Sequence, residues 1–194
     1  MLARELNIVA LDFETTGSAD ERQCIPWQIG AVCISRGRVV PGRRLSSYLR
    51  VPMDYRFNPY APGRWAEMRE ELAGCRSMQE EWPRFRPWLA GHCLMAHNVP
   101  TERTMLGQAY PMHIFGPWID TLKMVRAAYP GLESHSLQAM LGHLGIASKV
   151  EEACPGLEPH DACYDAIGCA YVFECMLEQP EWHDVTLECL EAMK

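Results

Sequence analysis

Short apolar runs rich in β-branched residues recur along the chain and predict strands separated by turns and helices. The run from Ile8 to Leu11 is apolar without alternation, which is typical of a central strand buried on both faces. Pro41-Gly42 interrupts the third of these runs, since proline cannot continue the ladder of a central strand. The five predicted strands cover residues 8–11, 28–35, 38–50, 93–96 and 118–121.

Segments with helical spacing or helix-boundary residues predict helices between and after these strands. Pro83 and Pro100 fit the first turns of two of them, and Gly145 fits the end of another. The helices are predicted over residues 65–72, 78–89, 100–110, 122–128, 136–144 and from 161 onward, and loops over 52–64 and 148–159. Three strands, followed by helices that alternate with two more strands, predict an α/β protein with a central five-stranded mixed sheet flanked by helices.

The length of 194 residues fits one domain, which we expect over residues 1–180, followed by a short acidic tail over 181–194. No run approaches the roughly 18 apolar residues of a membrane span, and the first residues lack a secretory signal. We therefore expect no membrane association and a cytoplasmic location. The nine cysteines include no CxxC pair, so free thiols in a reducing compartment are expected rather than a zinc site.

The formal net charge of −7 is distributed unevenly along the chain. Residues 36–86 carry 11 arginines against 6 acidic residues, a local charge of +5. Residues 127–194 carry 2 lysines against 12 acidic residues, a local charge of −10. The average charge argues against nucleic-acid binding, but the arginine-rich stretch could hold a polyanion. A solvated face neutralised by acids from elsewhere in the chain explains the same stretch equally well.

Asp12 and Glu14 are the first candidates for chemistry, because two residues that stand two apart on a strand point to the same face. They lie at the carboxyl end of an apolar strand, where α/β sheets place their binding sites. Two unpaired acids there are costly, and a divalent cation such as Mg²⁺ or Mn²⁺ would remove that cost. The alternative is that both simply cap the turn Thr15-Thr16-Gly17.

Three further residues are candidates whose simpler explanations stay open. Glu102 lies in the first turn of a predicted helix, where pairing with the helix dipole would account for it. Asp165 lies one turn into the last predicted helix, beside the small residues Ala162 and Cys169, and is expected to face the sheet. His160 stands just before that helix, although a histidine in a loop usually has no special role.

Four segments that carry these residues follow one another along the chain. They are Asp12-Phe13-Glu14-Thr15-Thr16-Gly17, Gln28-Ile29-Gly30-Ala31-Val32, Ala96-His97-Asn98 and His160-Asp161-Ala162-Cys163-Tyr164-Asp165-Ala166. In this order they resemble the three motifs of the DEDDh 3′→5′ exonucleases, the group of RNase T and of the proofreading subunit of bacterial DNA polymerase III. The resemblance extends over about residues 6–178 and implies a ribonuclease H-like fold.

The resemblance implies a metal-dependent 3′→5′ exonuclease that hydrolyses single-stranded nucleic acid ends and releases nucleoside 5′-monophosphates. Asp12, Glu14 and Asp165 match the family's metal-binding carboxylates, which implies two Mg²⁺ or Mn²⁺ ions. His160 matches the general base of the family. The turn Thr15-Thr16-Gly17 matches the segment that lies against the terminal nucleotide.

The second motif of the family is only partly matched. Glu102 stands where the family has aspartate, and it keeps the charge of a metal ligand but adds one methylene. We expect its carboxylate to reach a metal with altered geometry. His97 and Asn98 either approach the substrate or merely close a strand-to-helix turn. Asp120 is expected to cap the helix that follows it.

Two alternatives to this function stay open. The first is that the protein is an RNA-trimming exoribonuclease, which would carry the same motifs. Because Glu102 departs from the family, the fold could instead serve as a non-catalytic module that binds nucleic acid or a polymerase. The expected partners are single-stranded DNA or RNA 3′ ends, with a polymerase as a further candidate. A chain that ends soon after the last motif favours a stand-alone enzyme.

Overall fold

A mixed sheet of five strands forms the centre of the protein, whose computed structural model describes residues 1–18 and 23–193. The strands are β1 (Asn7–Thr15), β2 (Pro26–Ser35), β3 (Arg38–Tyr48), β4 (Cys93–Ala96) and β5 (Trp118–Asp120). They lie in the order β3-β2-β1-β4-β5; β2 is antiparallel to both β1 and β3, whereas β1, β4 and β5 are parallel. The five predicted strands and the α/β class are confirmed.

Helices cover both faces of this sheet. They are α1 (Arg69–Gly74), α2 (Trp82–Leu89), α3 (Val99–Ala109), α4 (Thr121–Ala128), α5 (Leu137–His143), α6 (Ala147–Ala153), α7 (Ala162–Leu177) and α8 (Leu187–Glu191), with 3₁₀ turns at Ala3–Glu5 and Trp65–Glu67. Every residue of α7 except Cys175 is buried, so this helix is the centre of one face. In the part of the chain that the structure describes, no helix is both long and apolar enough to cross a membrane.

The prediction of a loop over residues 148–159 was wrong, because α6 occupies the first half of this segment. Val150 is fully buried in the core beneath α7, and this single apolar residue supplied too weak a periodic signal to predict a helix. Lys149 donates to Glu174 Oε1 at 2.7 Å, which fastens α6 to α7. Tertiary contacts therefore stabilise a helix that the local pattern does not indicate.

The helix predicted from residue 78 begins at Trp82 instead. The residues before it form a turn in which Ser77 N donates to Glu80 Oε2 at 2.7 Å and Glu80 N donates to Ser77 Oγ at 3.3 Å. This reciprocal bonding satisfies the backbone outside the helix. Pro83 then falls in the first turn of α2, where its missing N–H is tolerated.

β1 separates two cores, because alternate side chains of a strand point to opposite faces of the sheet. Ile8 and Ala10 belong to the core beneath α7, whereas Val9 and Leu11 belong to the core that α2 and α3 cover. Asp12 continues the first of these two series. The same alternation that builds the core therefore directs this carboxylate toward α7.

β2 comes very close to the first turn of α7 at Gly30. A Cβ built on Gly30 would overlap the carbonyl carbon and oxygen of Ala162 and the peptide nitrogen of Cys163. Gly30 pairs with Asp12 across the two strands, so this close approach lies directly beside the carboxylates of β1. A side chain of any kind at residue 30 would push the start of α7 away from them.

β3 forms one edge of the sheet, and its pairing with β2 is interrupted in the middle. Val40 and Arg44 pair with neighbouring residues of β2, so residues 41–43 have no partner in that strand. The predicted interruption at Pro41-Gly42 falls in this bulge.

The segment expected as a tail packs against the first residues of the chain. Leu2 and Thr186 form an isolated antiparallel bridge, and Ala3 N donates to the Val185 carbonyl at 2.9 Å. Leu190 of α8 is 3% exposed and joins the core beneath α7. Residues of this segment therefore contribute to the folded core.

Candidate active site

Strand β1 and helix α7 together bring carboxylates and a histidine to one place. Asp12 and Glu14 point to the face of β1 that α7 covers. Glu14 is 6% exposed, although it stands next to the end of its strand. Side-chain ligand atoms of Glu14, His160 and Asp165 all lie within 4.8 Å of one another. Residues about 150 positions apart in the sequence therefore meet at the carboxyl end of β1.

Gln28 and Asp161 fix the start of α7 against β2. Gln28 Nε2 donates to Asp161 Oδ2 at 2.8 Å, and Ala162 N donates to Gln28 Oε1 at 3.2 Å. The other oxygen of Asp161 caps the helix by accepting from Cys163 N at 2.9 Å. These bonds set the position of α7 relative to β1, and hence that of Asp165.

Both oxygens of Asp165 accept hydrogen bonds. Gln138 Nε2 of α5 donates to Oδ1 at 2.9 Å, and the peptide N of His160 donates to Oδ2 at 3.1 Å. His160 has a φ of +69°, a conformation that is uncommon for residues other than glycine and that surrounding contacts must hold. Its imidazole is exposed. The histidine therefore lies at the solvent edge of the carboxylate cluster, with its backbone tied to one member of that cluster.

Glu102, in the first turn of α3, lies outside the group of ligand atoms within 4.8 Å of one another but close enough to Asp12 for the two charges to interact. Its side chain is 3% exposed, and its Oε2 is buried without a hydrogen-bond partner among the described residues. A buried carboxylate oxygen without a partner is costly. A divalent cation, which prefers oxygen ligands, would remove this cost. The buried carboxylate of Glu102 therefore fits the role of a metal ligand better than a purely structural role.

Burial raises the pKa of all four carboxyl groups, and repulsion among the four adds to this at Asp12, Glu14 and Glu102. Burial first, and then the charge of Asp12, raises the pKa of Glu14 to about 9. Burial raises the pKa of Asp165 to about 6, although the hydrogen bond from the His160 peptide opposes this change. Burial also raises the pKa values of Asp12 and Glu102 well above their ordinary values. The charge of Asp165 adds to the rise at Asp12, and the charge of Asp12 adds to the rise at Glu102.

The acidic residues of the site are not balanced by lysine or arginine in the part of the chain that the structure describes. Among the described residues, no lysine or arginine forms an ion pair with any of them. A compact group of oxygen ligands with excess negative charge is the kind of site that Mg²⁺ or Mn²⁺ occupies in proteins.

The predicted nucleotide-contacting turn is held in place by its own hydroxyl groups. Thr16 is buried, and its Oγ1 accepts from Ile25 N at 3.1 Å. Gly17 N donates to Thr15 Oγ1 at 3.4 Å. Gly17 has a φ of +65°, and a Cβ there would lie 2.8 Å from the Cβ of Asn58. Thr16 therefore packs inward, while Thr15 and Gly17 stay partly exposed beside Glu14.

His97 ties three parts of the chain together. Its Nε2 lies 2.8 Å from the carbonyl of His135, which can only accept, so Nε2 carries the proton. Its Nδ1 then accepts from the Thr121 hydroxyl at 2.9 Å. Burial lowers the pKa of His97 and favours this neutral form. His97 was expected either to approach the substrate or to close the strand-to-helix turn, and these contacts support the second role.

Asp120 caps α4 as predicted, since its Oδ1 accepts from Leu122 N at 3.0 Å. It also accepts from Asn98 N and Val99 N, each at 3.2 Å, at the start of α3. Asn98 itself is exposed and has a φ of +92°. One carboxylate thus holds the starts of both helices, including the helix that positions Glu102.

A family model described as an exonuclease, RNase T, matches residues 9–173. The chain belongs to the RNase T exonuclease family. The match includes all four motif-bearing segments, and it confirms the family to which the motifs pointed.

Curated relatives of this exonuclease-family chain are polymerases. It is 25% identical over 199 residues to the PolC-type DNA polymerase III of Bacillus cereus, which covers 95% of this chain. It is 26% identical over 187 residues to the PolC-type enzyme of Clostridium perfringens, which covers 91% of this chain. The chain spans about 12% of the length of each of these relatives.

Solved structures with a similar fold include exonucleases. Exonuclease X in complex with 5′ overhanging duplex DNA has a TM-score of 0.72 at 24% identity, covering 96% of this chain and 98% of that one. The nuclease domain of 3′hExo, a DEDDh family member bound to rAMP, has a TM-score of 0.71 at 15% identity, covering 92% and 94%. S. pombe Pop2p with Mg²⁺ and Mn²⁺ bound has a TM-score of 0.68 at 11% identity, covering 97% and 89%. These similarities confirm the ribonuclease H-like fold.

Some residues that position the site were not predicted from the sequence to have a role there. Gln28 lies within a motif segment, and its position opposite Glu14 on the neighbouring strand could have indicated that it faces the site. Gln138 and Asn58 lie in a helix and a loop without a recognisable signal. Their roles follow from how distant segments pack.

Arginines of the stretch 36–86 are largely engaged within the chain. The ion pairs are Arg38 with Glu174 and Glu178, Arg50 with Glu80, Arg64 with Glu67, and Arg76 and Arg84 with Glu81. Arg44 instead donates to the Ala153 carbonyl at 2.6 Å. The local charge of +5 already counts the acids of the stretch itself, so of these ion pairs only those of Arg38 with Glu174 and Glu178 offset it.

Proposed function

We propose that this protein is a metal-dependent exonuclease of the DEDDh type that shortens nucleic acids from their 3′ ends. The reaction is hydrolysis of the terminal phosphodiester bond of a single-stranded end, with release of a nucleoside 5′-monophosphate. One observation carries the proposal: two carboxylates and an exposed histidine have ligand atoms within 4.8 Å of one another, and two further carboxylates lie close enough for their charges to interact. These residues are Asp12, Glu14, Glu102, Asp165 and His160.

Two Mg²⁺ or Mn²⁺ ions would be held by Asp12, Glu14, Glu102 and Asp165. When bound, such ions polarise phosphoryl oxygens and neutralise the charge that develops on them. The chain itself keeps the carboxylates together against their repulsion. Hydrogen bonds from Gln138 and from the His160 peptide fix the orientation of the Asp165 carboxylate and favour its charged form. Because Oε2 of Glu102 has no hydrogen-bond partner among the described residues, it is free to bind a metal, which supports Glu102 as one of the ligands.

His160 is the proposed general base. Its ring lies at the exposed edge of the cluster, so it can reach a water molecule that attacks the scissile phosphate. Histidine is the side chain that most readily exchanges protons near neutral pH. Because the His160 peptide bonds to Asp165, the position of the base is coupled to that of a metal ligand.

Single-stranded DNA or RNA 3′ ends are the proposed substrates. The similarity to PolC-type polymerases and to a duplex-DNA complex of Exonuclease X supports DNA, whereas the rAMP complex of 3′hExo supports RNA. The same PolC similarity supports a polymerase as a partner. Competition between DNA and RNA strands of identical sequence would measure the preference directly.

A cytoplasmic location is also proposed. All nine cysteines are free, and several of them are buried. Burial raises the pKa of the Cys163 thiol to about 11, which keeps it protonated and unreactive. Free thiols in this number are typical of a reducing compartment. Measurement of the thiol state in protein isolated under acid quench would test this location.

The test of the proposed activity uses end-labelled single strands with Mg²⁺ or Mn²⁺. A 5′-labelled strand should give a ladder of stepwise shortened products, whereas a 3′-labelled strand should release labelled mononucleotide from the start. Failure to shorten DNA and RNA in both metals would overturn the proposal.

Variants assign the roles within the site. Asp12→Ala and His160→Ala should each lower the rate by at least about 100-fold, the usual size of a lost acid–base or metal contribution. His183→Ala is the matched control, because His183 is exposed and lies near the β2–β3 turn at the opposite end of the sheet. A fully active His160→Ala variant would show that another group serves as the base.

A further inference from the structure

Tyr60 presents an almost completely exposed aromatic ring, with 92% of its surface accessible. Of the large apolar side chains that are exposed within residues 1–18 and 23–193, it is the one that is aromatic; the others are methionines and an isoleucine. A fully exposed tyrosine ring contributes nothing to the core. It stands in the loop of residues 52–64, which is rich in proline and glycine.

The 52–64 loop is held in one conformation by contacts within and around it. Arg69 donates to the carbonyls of Met53 at 2.7 Å and Tyr55 at 2.8 Å, and its guanidinium lies 4.8 Å from the centre of the Phe57 ring. Phe57 stacks on Trp65 with ring centres 4.4 Å apart. Trp65 Nε1 in turn donates to the Ala61 carbonyl at 2.9 Å. These contacts fix the backbone on both sides of Tyr60.

Two contacts tie the loop that carries Tyr60 to residues of the candidate site, one on each side of Tyr60. Asn58 N donates to the Thr16 carbonyl at 2.8 Å, and Tyr60 N donates to Asn58 Oδ1 at 2.9 Å. At the other end, a Cβ on Gly63 would lie 3.2 Å from the His160 carbonyl oxygen. With about 3.8 Å between successive Cα atoms, the Cα of Tyr60 lies within roughly 8 Å of the Asn58 Cα and 11 Å of the Gly63 Cα.

We propose that Tyr60 is a stacking platform for a base of the nucleic acid at or next to the cleaved end. This inference rests on the proposed function, because it assigns a substrate contact of the same site. An aromatic ring fixed beside a site for single strands binds bases through their faces and tolerates any sequence. Because the loop is already ordered, little conformational freedom is lost when a base stacks there.

The direct test compares Tyr60→Ala with Tyr60→Phe, which keeps the ring and loses only the hydroxyl. Tyr60→Ala should raise KM for a single-stranded oligonucleotide roughly 5- to 150-fold, the range measured when a base–aromatic stack is removed, with kcat changed less than KM. Tyr60→Phe should behave as wild type. Met112→Ala is the control, since Met112 is 91% exposed in the loop between α3 and β5.

A second substrate separates stacking from any general effect on the loop. On a strand whose two 3′-terminal residues lack bases, Tyr60→Ala and wild type should have the same KM, because no base is available to stack. An equal loss on both substrates, or an unchanged KM on the natural strand, would overturn the proposal. Thermal unfolding of each variant verifies that the fold is kept.

Binding without turnover keeps this test independent of the proposed activity. Fluorescence anisotropy with a labelled single strand, in Ca²⁺ or in EDTA, should show weaker binding by Tyr60→Ala than by wild type and Tyr60→Phe. If wild type binds but does not shorten the strand, the proposed activity fails while Tyr60 is still tested. Equal binding by Tyr60→Ala and wild type, or no binding by any form, would overturn the assignment of Tyr60.

Discussion

Gly30→Ala adds one methyl group at the point where β2 touches the start of α7. The new Cβ would lie inside 3.0 Å of the carbonyl group of Ala162 and of the peptide nitrogen of Cys163. All of these are backbone atoms, so none can rotate away as the end of a flexible side chain can. The strand and the helix must therefore move apart.

The structure gives the size of this movement. Ordinary contact begins at 3.4 Å, so the two backbones must separate by about 1 Å. Overpacking of this kind costs roughly 1–3 kcal/mol, which lowers the melting temperature of a chain of this size by about 3–10 °C. α7 carries Asp165 and follows His160. A misplacement of about 1 Å at reacting groups lowers the rate by roughly 100-fold.

Thermal unfolding and the rate of strand shortening in Mn²⁺ measure the two effects separately. Gly107→Ala is the matched control, because Gly107 lies in α3 and a Cβ there meets nothing within 4 Å. Alanine at residue 107 should raise stability by up to about 1 kcal/mol and leave the rate unchanged. Wild-type stability and rate in Gly30→Ala would refute the packing reasoning. Lost stability with a wild-type rate would show that the position of α7 does not control the site.

Two further predictions concern the acidic cluster without metal. The folded chain keeps protons that the unfolded chain has already released, since the pKa is about 6 for Asp165 and about 9 for Glu14. Stability in EDTA should therefore fall as the pH rises from about 4 to about 9, and Mn²⁺ should restore it; a flat melting profile would contradict this. Glu102→Gln removes one repelling charge at constant size, so it should raise the metal-free melting temperature at pH 8. It should also weaken Mn²⁺ binding by calorimetry at least about 10-fold, and unchanged binding would exclude Glu102 as a ligand.

The parts of the site that could be predicted are those set by local geometry. Asp12 and Glu14 share a face because side chains alternate along a strand, whatever the rest of the fold does. Asp165 faces inward because it lies on the small-residue stripe of its helix. Gln138 could not be predicted as its partner, because the two are 27 residues apart and meet only once α5 packs beside α7.

The same distinction explains the errors and the open alternatives. Val150 makes α6 part of the core, but one buried residue gives no periodic pattern. His97 had two interpretations because residue type alone does not decide between a ligand and a structural histidine. Its bonds to Thr121 and His135 join segments 24 and 38 residues away, and these contacts favour the structural interpretation. Tertiary contacts of this length are beyond any local pattern.

The bulge in β3 indicates a second role for the arginine-rich stretch, which is to oppose pairing of this edge strand with another chain. The outer strand of a sheet offers free N–H and C=O groups that another chain can pair with, which leads to aggregation. β3 carries three features that oppose such pairing. Pro41 lacks an N–H group, residues 41–43 have no partner in β2, and Arg43 adds an exposed charge beside them. An arginine of the stretch that suggests a nucleic-acid surface therefore also opposes strand addition from a second copy.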